Sequence, residues 1–509
     1  MAECARTRRR SDGKGVLSPD YPPVLVDSRS PATERAAPAR KGPILGAGTR
    51  VHLVGIGGCG MRGAAAVLLR RGAVVTGSER SECPDLRPLV RQGARVFFDQ
   101  QISHIPQQCD LVVRSAAIKD DNPEIITARM RGLPVLKYAE MLGLLMADRA
   151  GISIAGTHGK STTTAMTAFV LREAGADPSF VIGAEVEQLG GGSGVGDGRH
   201  FVVEACEYDR SFLNLHARLA AILNVEEDHL DYYQDLNEIV SAFADFAARV
   251  SPEGVVVVNG EDRNALAAAA AAKARVETFG LQRGQQWKAE VLGERRGCYR
   301  FRVLRDGRAL TEVVLAIPGL HHVANALAAM ALCFHGGVEP ETIAKALGDF
   351  RGAGRRLTWR GCVRGVDVVD DYAHHPTELQ VTIKAAREYY SPGKLYVVFQ
   401  PHQHSRTRFL LDDFARSFGA ADVVVVPDIY FVRDTQAEKD RIDSGTLVER
   451  IRSSGGDARY EPSFAGIVDY LFKVVEPGDL VLTMGAGNVW QVADDLLGRL
   501  AGGRATTGC

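Results

Sequence analysis

The feature of this 509-residue sequence that most constrains its fold is an alternation of short apolar stretches with helix-like stretches. The strand-like RVHLVGIG (50–57) is followed by the helix-like GMRGAAAVLLRRG (60–72) and then by the strand-like AVVTGSE (73–79). Strands connected through helices lie parallel in one sheet, so this order predicts the α/β class with mostly parallel sheets. A chain of this length is too long for one ordinary core and favours about three domains.

The composition argues against several classes of partner. Lys and Arg number 61 against 62 Asp and Glu, so the formal net charge of -1 favours neither a nucleic acid nor an anionic membrane. The nine cysteines are scattered, without the close pairs of a zinc or redox site. No apolar run approaches the ~20 residues of a membrane span, and the basic N-terminus lacks the apolar stretch of a secretory signal. We therefore expect a cytoplasmic protein with neither nucleic-acid nor membrane partners.

The alternation divides the chain into three predicted units behind a tail. Residues 1–47 are rich in Pro, Arg, Ser and Gly without an apolar period, which predicts a disordered tail. The first unit spans 48–146, the second spans 147–354 and contains GISIAGTHGKSTTT, and the third spans 355–509 and carries LYVVFQPH, DVVVVPD and DLVLTMGAG. Within the second unit, the stretch GGGSGVGDG (190–198) is predicted to be a flexible surface loop.

A glycine-rich turn follows the first predicted strand. Gly55, Gly57 and Gly60 fit the pattern G-x-G-x-x-G, and Glu79 follows where dinucleotide-binding folds place a ribose-binding acid. This segment alone is compatible with a nicotinamide dinucleotide, with another nucleotide diphosphate at a helix N-terminus, or with a structural turn. All three alternatives stay open on these residues.

The stretch GTHGKSTTT (156–164) has the form of a phosphate-binding loop with two residues between its glycines instead of four. It lies between a predicted strand and a predicted helix, where backbone N–H groups and the helix N-terminus surround an anion. Lys160 can reach the β- and γ-phosphates of a nucleoside triphosphate, and the Ser161 hydroxyl can bind Mg²⁺. The alternative is an ordinary turn with a solvated lysine.

Carboxylates that could complete a magnesium site follow neighbouring predicted strands. The strand-like HFVVEAC carries Glu204, and Glu207 follows it. Magnesium keeps most of its waters, so one or two carboxylates suffice. His229 lies between Asp228 and Asp231 after the apolar LAAILNV, a position where a lone histidine is more often a structural hydrogen-bonding group.

Six motifs follow one another along the chain in a characteristic order. They are GTHGKSTTT, EACEYDRSFL, NVEEDHLDYY, PGLHHVANALAA, DDYAHHPTEL and FQPHQHSRTRF. In this order and spacing they resemble the Mur ligases, over about residues 50–497, and VGIGGCGM with DNPEI resembles the alanine-adding branch of that family. The shortened loop is the family's own form. The resemblance implies that the phosphate handled is the γ-phosphate of ATP.

The resemblance implies an ATP- and Mg²⁺-dependent enzyme that joins L-alanine to the carboxylate of UDP-N-acetylmuramate in peptidoglycan precursor biosynthesis. The family's route passes through an acyl phosphate and a tetrahedral intermediate and releases ADP and phosphate. The implied architecture is a Rossmann-like UDP-binding domain, a P-loop ATPase-like central domain and a Rossmann-like C-terminal domain, in a monomer or weak homodimer. The close alternative is a family member that adds a preformed tripeptide. An NAD-dependent oxidoreductase and a non-catalytic nucleotide sensor are alternatives from other classes.

The resemblance also implies roles for matched residues. The implied catalytic residues are Lys160, Glu204, His229, Arg356 and His374, and the implied Mg²⁺ ligands are Ser161, Glu204 and His229. The implied ATP contacts are Gly156, Thr157, His158, Gly159, Lys160, Ser161, Thr162, His321, Asn325, Arg356 and Asp371. The implied contacts of the sugar nucleotide and the amino acid are Gly55, Gly57, Gly58, Gly60, Met61, Ser115, His402 and Arg406. Arg62, His322 and His404 depart from the family pattern, and their effects are left open.

Overall fold

Residues 45–502 are described by the computed structural model, and within them three β-sheets form one after another along the chain. Residues 1–44 of the predicted tail lie outside this range, whereas Leu45, at its end, is 2% exposed and packs in a hydrophobic core with the first sheet. In the part of the chain that the structure describes, we find no helix with the length and apolar character needed to span a bilayer.

The first domain is built on a parallel sheet. Its strands are β1 (Arg50–Val54), β2 (Val74–Ser78), β3 (Arg95–Phe97), β4 (Leu111–Arg114) and β5 (Val135–Lys137). Its helices are α1 (Cys59–Arg70), α2 (Arg87–Arg91), α3 (Pro123–Met130) and α4 (Tyr138–Met146). The strand order is β3-β2-β1-β4-β5. The order reverses at β1, so the loop after β1 opens where such sheets bind ligands.

The central domain contains the largest sheet. Its strands are β6 (Ala150–Ala155), β7 (Ser179–Val181), β8 (Ser193–Gly194), β9 (His200–Glu204), β10 (Ala217–Ile222), β11 (Val255–Asn259), β12 (Arg275–Gly280), β13 (Trp287–Arg295), β14 (Cys298–Arg305) and β15 (Arg308–Val314). Its helices are α5 (Lys160–Glu173), α6 (Leu236–Ala248), α7 (Arg263–Ala269), α8 (Leu320–His335) and α9 (Pro340–Asp349). The order is β15-β14-β13-β12-β11-β10-β6-β9-β7-β8, so β6 lies between β10 and β9, parallel to both.

The C-terminal domain has a third, mostly parallel sheet. Its strands are β16 (Thr358–Val363), β17 (Val366–Asp371), β18 (Leu395–Phe399), β19 (Val423–Val426), β20 (Ala458–Tyr460) and β21 (Leu480–Met484). Its helices are α10 (Pro376–Tyr390), α11 (His404–Phe409), α12 (Leu411–Arg416), α13 (Gln436–Lys439), α14 (Ser444–Ser453), α15 (Phe464–Val474) and α16 (Trp490–Leu500). The order is β16-β17-β21-β18-β19-β20, with β16 antiparallel at one edge.

The predicted α/β class with mostly parallel sheets is confirmed. Inner strands of the sheets are rich in buried apolar residues; Val255 to Val258 of β11, for example, are all buried. Helix α5 is buried along most of its length and ends just before Gly175, whose φ of +73° suits the glycine that closes a helix.

The prediction of a flexible loop at 190–198 is wrong for part of that stretch. Residues Ser193 and Gly194 form β8, which pairs antiparallel with β7. Ser193 also packs against Gly63 of α1, where an added Cβ would lie 2.9 Å from the Ser193 Cβ. The lack of a side chain at Gly63 therefore allows α1 of the first domain to lie close to β8 of the central domain. A pattern of turn residues in the sequence does not predict such a contact.

Candidate active site

The second glycine-rich loop connects β6 to α5 in the middle of the central sheet. Gly156 and Gly159 have φ values of +148° and +81°, which L side chains rarely adopt. A side chain would also clash, because a Cβ on Gly159 would lie 2.7 Å from Asn325 Oδ1. The loop therefore passes closely over α8 and leaves the N-terminus of α5, with its unpaired N–H groups, open to an anion.

Lys160 begins α5, and its ammonium group turns back over the loop. Its Nζ donates to Gly156 O at 2.6 Å and to Thr157 O at 3.0 Å, and it pairs with Glu207 Oε1 at 2.9 Å. Burial opposes the charge, but the carboxylates of Glu207 and Glu204 outweigh burial and hold the pKa of Lys160 above its ordinary value. The lysine is therefore a permanent cation in the loop.

Two carboxylates and an imidazole lie beside this lysine. Glu204 ends β9, the neighbour of β6, and its Oε2 accepts a hydrogen bond from Gly183 N at 2.8 Å. Glu207 contacts Lys160, and its Oε1 also lies 3.7 Å from His229 Nε2. Glu207 Oε2 and His229 Nδ1 are buried without hydrogen-bond partners. Unpaired buried polar atoms cost free energy, so this cluster is suited to receive a cation or a polar ligand.

His229 is held in an unusual backbone conformation. Its φ is +54°, and its N–H donates to Asp228 Oδ1 at 2.7 Å. A non-glycine residue in this conformation costs about 1–2 kcal/mol. Strain of this kind is maintained by surrounding structure and is concentrated at functional positions. The prediction that singled out His229 therefore gains a local structural argument.

A cavity of about 520 Å³ lies beside the loop, between the central and C-terminal domains. This volume is in the range of small-molecule binding sites. The predicted ATP contacts that line the cavity are His158, Gly159, Thr162, His321, Asn325, Arg356 and Asp371. His322, at the position that departs from the family pattern, lines it too, and its ring lies 4.0 Å from that of His321, measured between centroids.

Arg356, which lines this cavity, and its neighbour Arg355 have different surroundings. Arg355 Nε donates to Asp370 Oδ2 at 2.8 Å, and its Nη2 donates to Gly485 O at 2.7 Å. Arg356 lines the cavity, with its guanidinium 5.2 Å from the ring centroid of Tyr372 and its Nε buried without a hydrogen-bond partner. Arg355 therefore stabilises the C-terminal domain, whereas the guanidinium group of Arg356 is available to bind an anion in the cavity.

Asp371 ends β17 at the far wall of the cavity. One carboxylate oxygen accepts the N–H of Leu357 at 2.6 Å, and the other accepts the N–H of Ala373 at 2.7 Å. Burial raises the pKa of Asp371 to about 6, although Arg356 and the two N–H groups act in the opposite direction. The carboxylate is thus fixed in orientation and titrates close to neutral pH.

Three successive residues after β10 connect the central domain to the C-terminal domain. The pairs are Glu226 Oε2 with Thr377 Oγ1 at 2.6 Å, Glu227 O with His375 Nε2 at 3.0 Å, and Asp228 Oδ1 with Arg406 Nε and Nη2 at 2.9 and 2.8 Å. Burial opposes ionisation of Asp228, but Arg406 outweighs it and holds the pKa of Asp228 well below its ordinary value. The predicted residue Arg406 is therefore part of a buried ion pair between the domains.

The histidine of the loop belongs to the same junction. His158 Nδ1 lies 3.2 Å from Glu378 Oε1, and its Nε2 lies 3.4 Å from Glu226 Oε2. Burial opposes protonation, but the two carboxylates outweigh it and raise the pKa of His158 to about 9. At neutral pH, His158 adds a second positive charge to the loop.

Two other predicted histidines approach from the C-terminal domain. The rings of His374 and His402 lie 6.2 Å apart, and burial lowers their pKa values to about 4 and about 3. His374 Nδ1 donates to Tyr372 O at 3.0 Å, which leaves its Nε2 as an acceptor. Both imidazoles are therefore neutral at neutral pH and suited to accept hydrogen bonds.

The predicted sugar-nucleotide residues form a separate group on the first domain. Gly58 is the N-cap residue of α1, and Gly57 N donates to Glu79 Oε2 at 2.9 Å. A Cβ on Gly60 would lie 2.7 Å from Tyr138 Oη. The remaining predicted contacts on this domain are Gly55, with φ of +78°, Ser115, which packs against it, and Met61, whose side chain is buried in the core.

The guanidinium group of Arg62 is engaged in ion pairs within the protein. Its Nη1 pairs with Asp85 Oδ2 at 2.8 Å, and its Nη2 pairs with Glu185 Oε1 of the central domain at 3.2 Å. Its Nη1 also donates to Gly57 O at 3.2 Å. Arg62 therefore connects the first glycine-rich loop to the central domain.

Comparison with known proteins agrees with this arrangement. The description "Mur ligase family, catalytic domain" matches residues 50–150, "Mur ligase middle domain" matches 154–333, and "Mur ligase, glutamate ligase domain" matches 355–487. The UDP-N-acetylmuramate–L-alanine ligase of Acetivibrio thermocellus is 41% identical over 88% of this chain and 95% of its own length.

Solved structures show the same architecture. The UDP-N-acetylmuramate-alanine ligase of Thermotoga maritima superposes with a TM-score of 0.73 at 28% identity, over 89% of this chain and 99% of its own. A murein peptide ligase from Psychrobacter arcticus superposes with a TM-score of 0.68 at 25% identity, over the same shares of the two chains. The chain belongs to the Mur ligase family.

Proposed function

We propose that this protein is an ATP-dependent ligase that joins L-alanine to the carboxylate of UDP-N-acetylmuramate, a step in peptidoglycan precursor biosynthesis. The observation that carries the proposal is the 41% identity to a UDP-N-acetylmuramate–L-alanine ligase over 88% of the chain. The cluster of Lys160, Glu204, Glu207 and His229 beside the nucleotide-sized cavity supports the same chemistry.

The proposed reaction solves a problem of leaving groups. An amine cannot displace oxide from a carboxylate, so the carboxylate oxygen first attacks the γ-phosphorus of ATP, and the bond to the β-γ bridging oxygen breaks to release ADP. The neutral amine of L-alanine then attacks the acyl carbon and forms a tetrahedral intermediate. This intermediate expels phosphate and loses a proton, which leaves the amide. Positioning and charge neutralisation are the main tasks of the protein in such a reaction.

The loop residues provide much of the positive charge. We propose that Lys160 exchanges its contact with Glu207 for the transferred phosphate and that the N–H groups of α5 bind the adjacent phosphates. Arg356, whose Nε has no hydrogen-bond partner, would reach the same phosphates from the C-terminal domain. Asp371 would accept hydrogen bonds from the ribose at the other end of the cavity. His321 and Asn325 would lie against the adenine side.

The residues beside Lys160 fit Mg²⁺. Ser161, Glu204 and Glu207 offer the oxygen donors that Mg²⁺ prefers, and the unpartnered Glu207 Oε2 is a buried carboxylate oxygen without another task. His229 would hold a second ion or its water at the acceptor side. When bound, Mg²⁺ supplies neutralisation of the phosphate charge. Glu207 is thus added to the predicted ligand set.

The remaining predicted residues would bind the other substrates. We propose that Gly55 to Gly60, with Ser115, bind the UDP diphosphate and uridine at the N-terminus of α1. His374 and His402 would face the acceptor, and Arg406, whose Nη1 lies 3.4 Å from both His402 Nδ1 and His402 O, would hold His402 in place beside it. With their low pKa values, both imidazoles would stay neutral and accept hydrogen bonds from the amino group of alanine.

We propose domain boundaries near residues 146 and 354, on either side of the central sheet. The nucleotide substrates favour the cytoplasm as the place of action, and a monomer or weak homodimer remains the proposed state, which light scattering of the purified chain would test. The linkers at both boundaries would let the outer domains close over the substrates and exclude water from the acyl phosphate.

The direct test is a reaction with UDP-N-acetylmuramate, ATP, Mg²⁺ and a mixture of amino acids, followed by mass spectrometry of the product. We expect ADP release and a product that carries one alanine. A parallel reaction offers the alanine-glutamate-diamino acid tripeptide. Exclusive use of the tripeptide would assign the chain to the peptide-adding members of the family. Absence of ADP release with every amine would contradict the proposal.

A further inference from the structure

A group of three side chains at the junction of the loop and the C-terminal domain has the donor set of a transition-metal site. His158 lies in the loop before α5, Glu226 follows β10, and His375 precedes α10. One ligand atom of each lies within 4.8 Å of the other two. These residues differ from the proposed Mg²⁺ ligands, which lie beside Lys160.

The spacing suits one small cation. His158 Nε2 lies 3.4 Å from Glu226 Oε2, and His375 Nδ1 lies 4.0 Å from the same oxygen. Ligand atoms at about 2.0–2.2 Å from a tetrahedral Zn²⁺ are themselves about 3.4 Å apart. The distance of 3.4 Å between His158 and Glu226 already has this value, and the others, which are at most 4.8 Å, must shorten by no more than about 1.4 Å at the ends of side chains.

The hydrogen bonds fix which nitrogen of His375 is unprotonated. Its Nε2 lies 3.0 Å from Glu227 O, and a carbonyl oxygen only accepts, so Nε2 carries the proton. Its Nδ1 therefore has a lone pair, which accepts only a long bond of 3.3 Å from Thr377 N. Nδ1 also lies 4.0 Å from Glu226 Oε2, so a bound ion would take this lone pair in place of the Thr377 N–H.

His158 is oriented by a carboxylate in the same way as many metal-binding histidines. Its Nδ1 lies 3.2 Å from Glu378 Oε1, so Nδ1 is the donor to that carboxylate. Its Nε2 is buried, makes no hydrogen bond and is aimed at Glu226. A bound ion takes the place of the proton that this nitrogen carries in the charged ring, and the proton is released to solvent. A carboxylate behind the ring fixes the orientation of a metal-binding imidazole and raises its basicity. Glu378 stands in that position.

The chemistry of the donors selects the class of ion. Two imidazole nitrogens and one carboxylate oxygen are typical of Zn²⁺ and its neighbours in the first transition series, whereas Mg²⁺ prefers oxygen alone. Three protein ligands leave a fourth position for water or for an oxygen of a ligand. Because His158 and Glu226 line the nucleotide cavity, an ion can enter from that side.

We propose that His158, Glu226 and His375 bind one zinc-class transition-metal ion per chain, at a site separate from the magnesium cluster. The bound ion connects the phosphate-binding loop directly to the start of α10. It therefore stabilises the contact between the central and C-terminal domains in the absence of substrates.

The test uses the full chain without nucleotide and with excess Mg²⁺ to occupy oxygen-ligand sites. Calorimetric titration with Zn²⁺ should give one ion per chain, and Co²⁺ should give the visible absorption of a low-coordinate nitrogen and oxygen site without thiolate bands. Zn²⁺ should also raise the melting temperature of the wild-type chain. Absence of zinc uptake would overturn the proposal.

Four variants locate the ion. His375→Asn keeps a good N-cap for α10, so the fold should survive, as circular dichroism can verify. It should weaken zinc binding by more than the roughly 10–100-fold that follows loss of an outer hydrogen-bond partner, and Glu378→Gln should weaken it within that range. The exposed His216→Asn should leave zinc affinity unchanged, as should His229→Asn, whatever it does to turnover.

Two outcomes would contradict the assignment. A folded His375→Asn chain that binds Zn²⁺ as tightly as wild type would exclude this site. Loss of zinc binding in His229→Asn alone would place the ion in the magnesium cluster. All these measurements are made without substrates, so their results do not depend on whether the protein has the proposed ligase activity.

Discussion

The two glycine-rich loops of this protein have the same backbone plan and different surroundings. Each follows an inner strand that is parallel to both of its neighbours and leads into a helix, β1 into α1 and β6 into α5. Around the second loop the neighbouring strands contribute Glu204, Glu207 and His229 beside Lys160. Around the first loop, the nearest charged partner is Glu79, which accepts the N–H of Gly57.

The side chains around such a loop, and not its backbone, determine which chemistry it can support. The backbone of either loop can bind a diphosphate, because both present unpaired N–H groups at a helix N-terminus. The cation of the first loop, Arg62, is paired with Asp85 and Glu185, whereas the second loop has a buried lysine on the loop itself, with carboxylates and buried hydroxyl groups beside it, to handle a transferable phosphate. We infer that the first loop only binds the sugar nucleotide, whereas the second loop binds ATP and takes part in the transfer of its phosphate.

The largest expected difference concerns the basic residue of each loop. Lys160→Met should lower turnover by roughly 10²–10³-fold, because it removes a preorganised charge from the transferred phosphate. Arg62→Met should change the KM for the sugar nucleotide by no more than a few fold, because Arg62 is already paired with Asp85 and Glu185. Steady-state ADP release measures both, and equal losses in the two variants would break the distinction between the loops.

A second comparison uses Arg356, which lines the cavity, and the adjacent Arg355. Arg356→Lys should lower turnover by roughly 10–100-fold, because lysine cannot reproduce the planar fork that meets phosphate oxygens. Arg355→Lys should instead lower the free energy of unfolding by about 1–3 kcal/mol, since Asp370 and buried carbonyls lose donors. Urea denaturation and ADP release measure the two effects. Turnover lost more in Arg355→Lys than in Arg356→Lys would contradict these assignments.

Matched glycine substitutions test which loop binds which nucleotide. Gly159→Ala places a Cβ 2.7 Å from Asn325 Oδ1 at a φ of +81°, so it should raise the KM for ATP by about tenfold or more. Gly60→Ala places a Cβ 2.7 Å from Tyr138 Oη and should raise the KM for the sugar nucleotide instead. Initial rates with one substrate varied at a time measure the split. Each variant should leave the other KM within a few fold of wild type.

The smallest expected effect is a pH dependence of ATP binding. The pKa of Asp371 is about 6, so lowering the pH from 7.5 to 5.5 protonates most of this carboxylate and should weaken ATP binding by about fourfold. The pKa values of His158, about 9, and His374, about 4, lie outside this interval. Because ATP itself takes up a proton in the interval, the measured quantity is the ratio of Kd values for wild type and Asp371→Asn. A ratio independent of pH would contradict ribose binding by the ionised acid.

Much of the framework could be predicted from local sequence. The alternation of apolar and helix-like stretches fixes the α/β class, and the strand-loop-helix context of Gly156 to Ser161 predicts a phosphate site. Glu204 could be found because it ends an apolar strand next to that loop. These features depend on residues close together in the chain, and their periods and turn signals are readable there.

The domain junction could not be predicted in the same way. His375 is separated by 148 residues from Glu227, and Arg406 by 178 residues from Asp228. No local period relates such partners, because their contact depends on how two sheets face each other. Glu207 was named beside Glu204 as a candidate carboxylate but was left out of the implied ligand set, because it follows the strand end and only the fold brings it against Lys160 and His229.

Helix α5, which carries Lys160 at its start, is packed on all sides, with Ser161 to Leu171 buried. A rod enclosed in this way cannot tilt or slide without opening the hydrophobic core of the whole central domain. The N-terminal end of α5, which is the phosphate-binding end, is therefore fixed in position within the central domain. Any motion that brings three substrates into line has to be performed by the two flanking domains, so ligands that wedge at their junctions should be able to stop turnover without touching the loop.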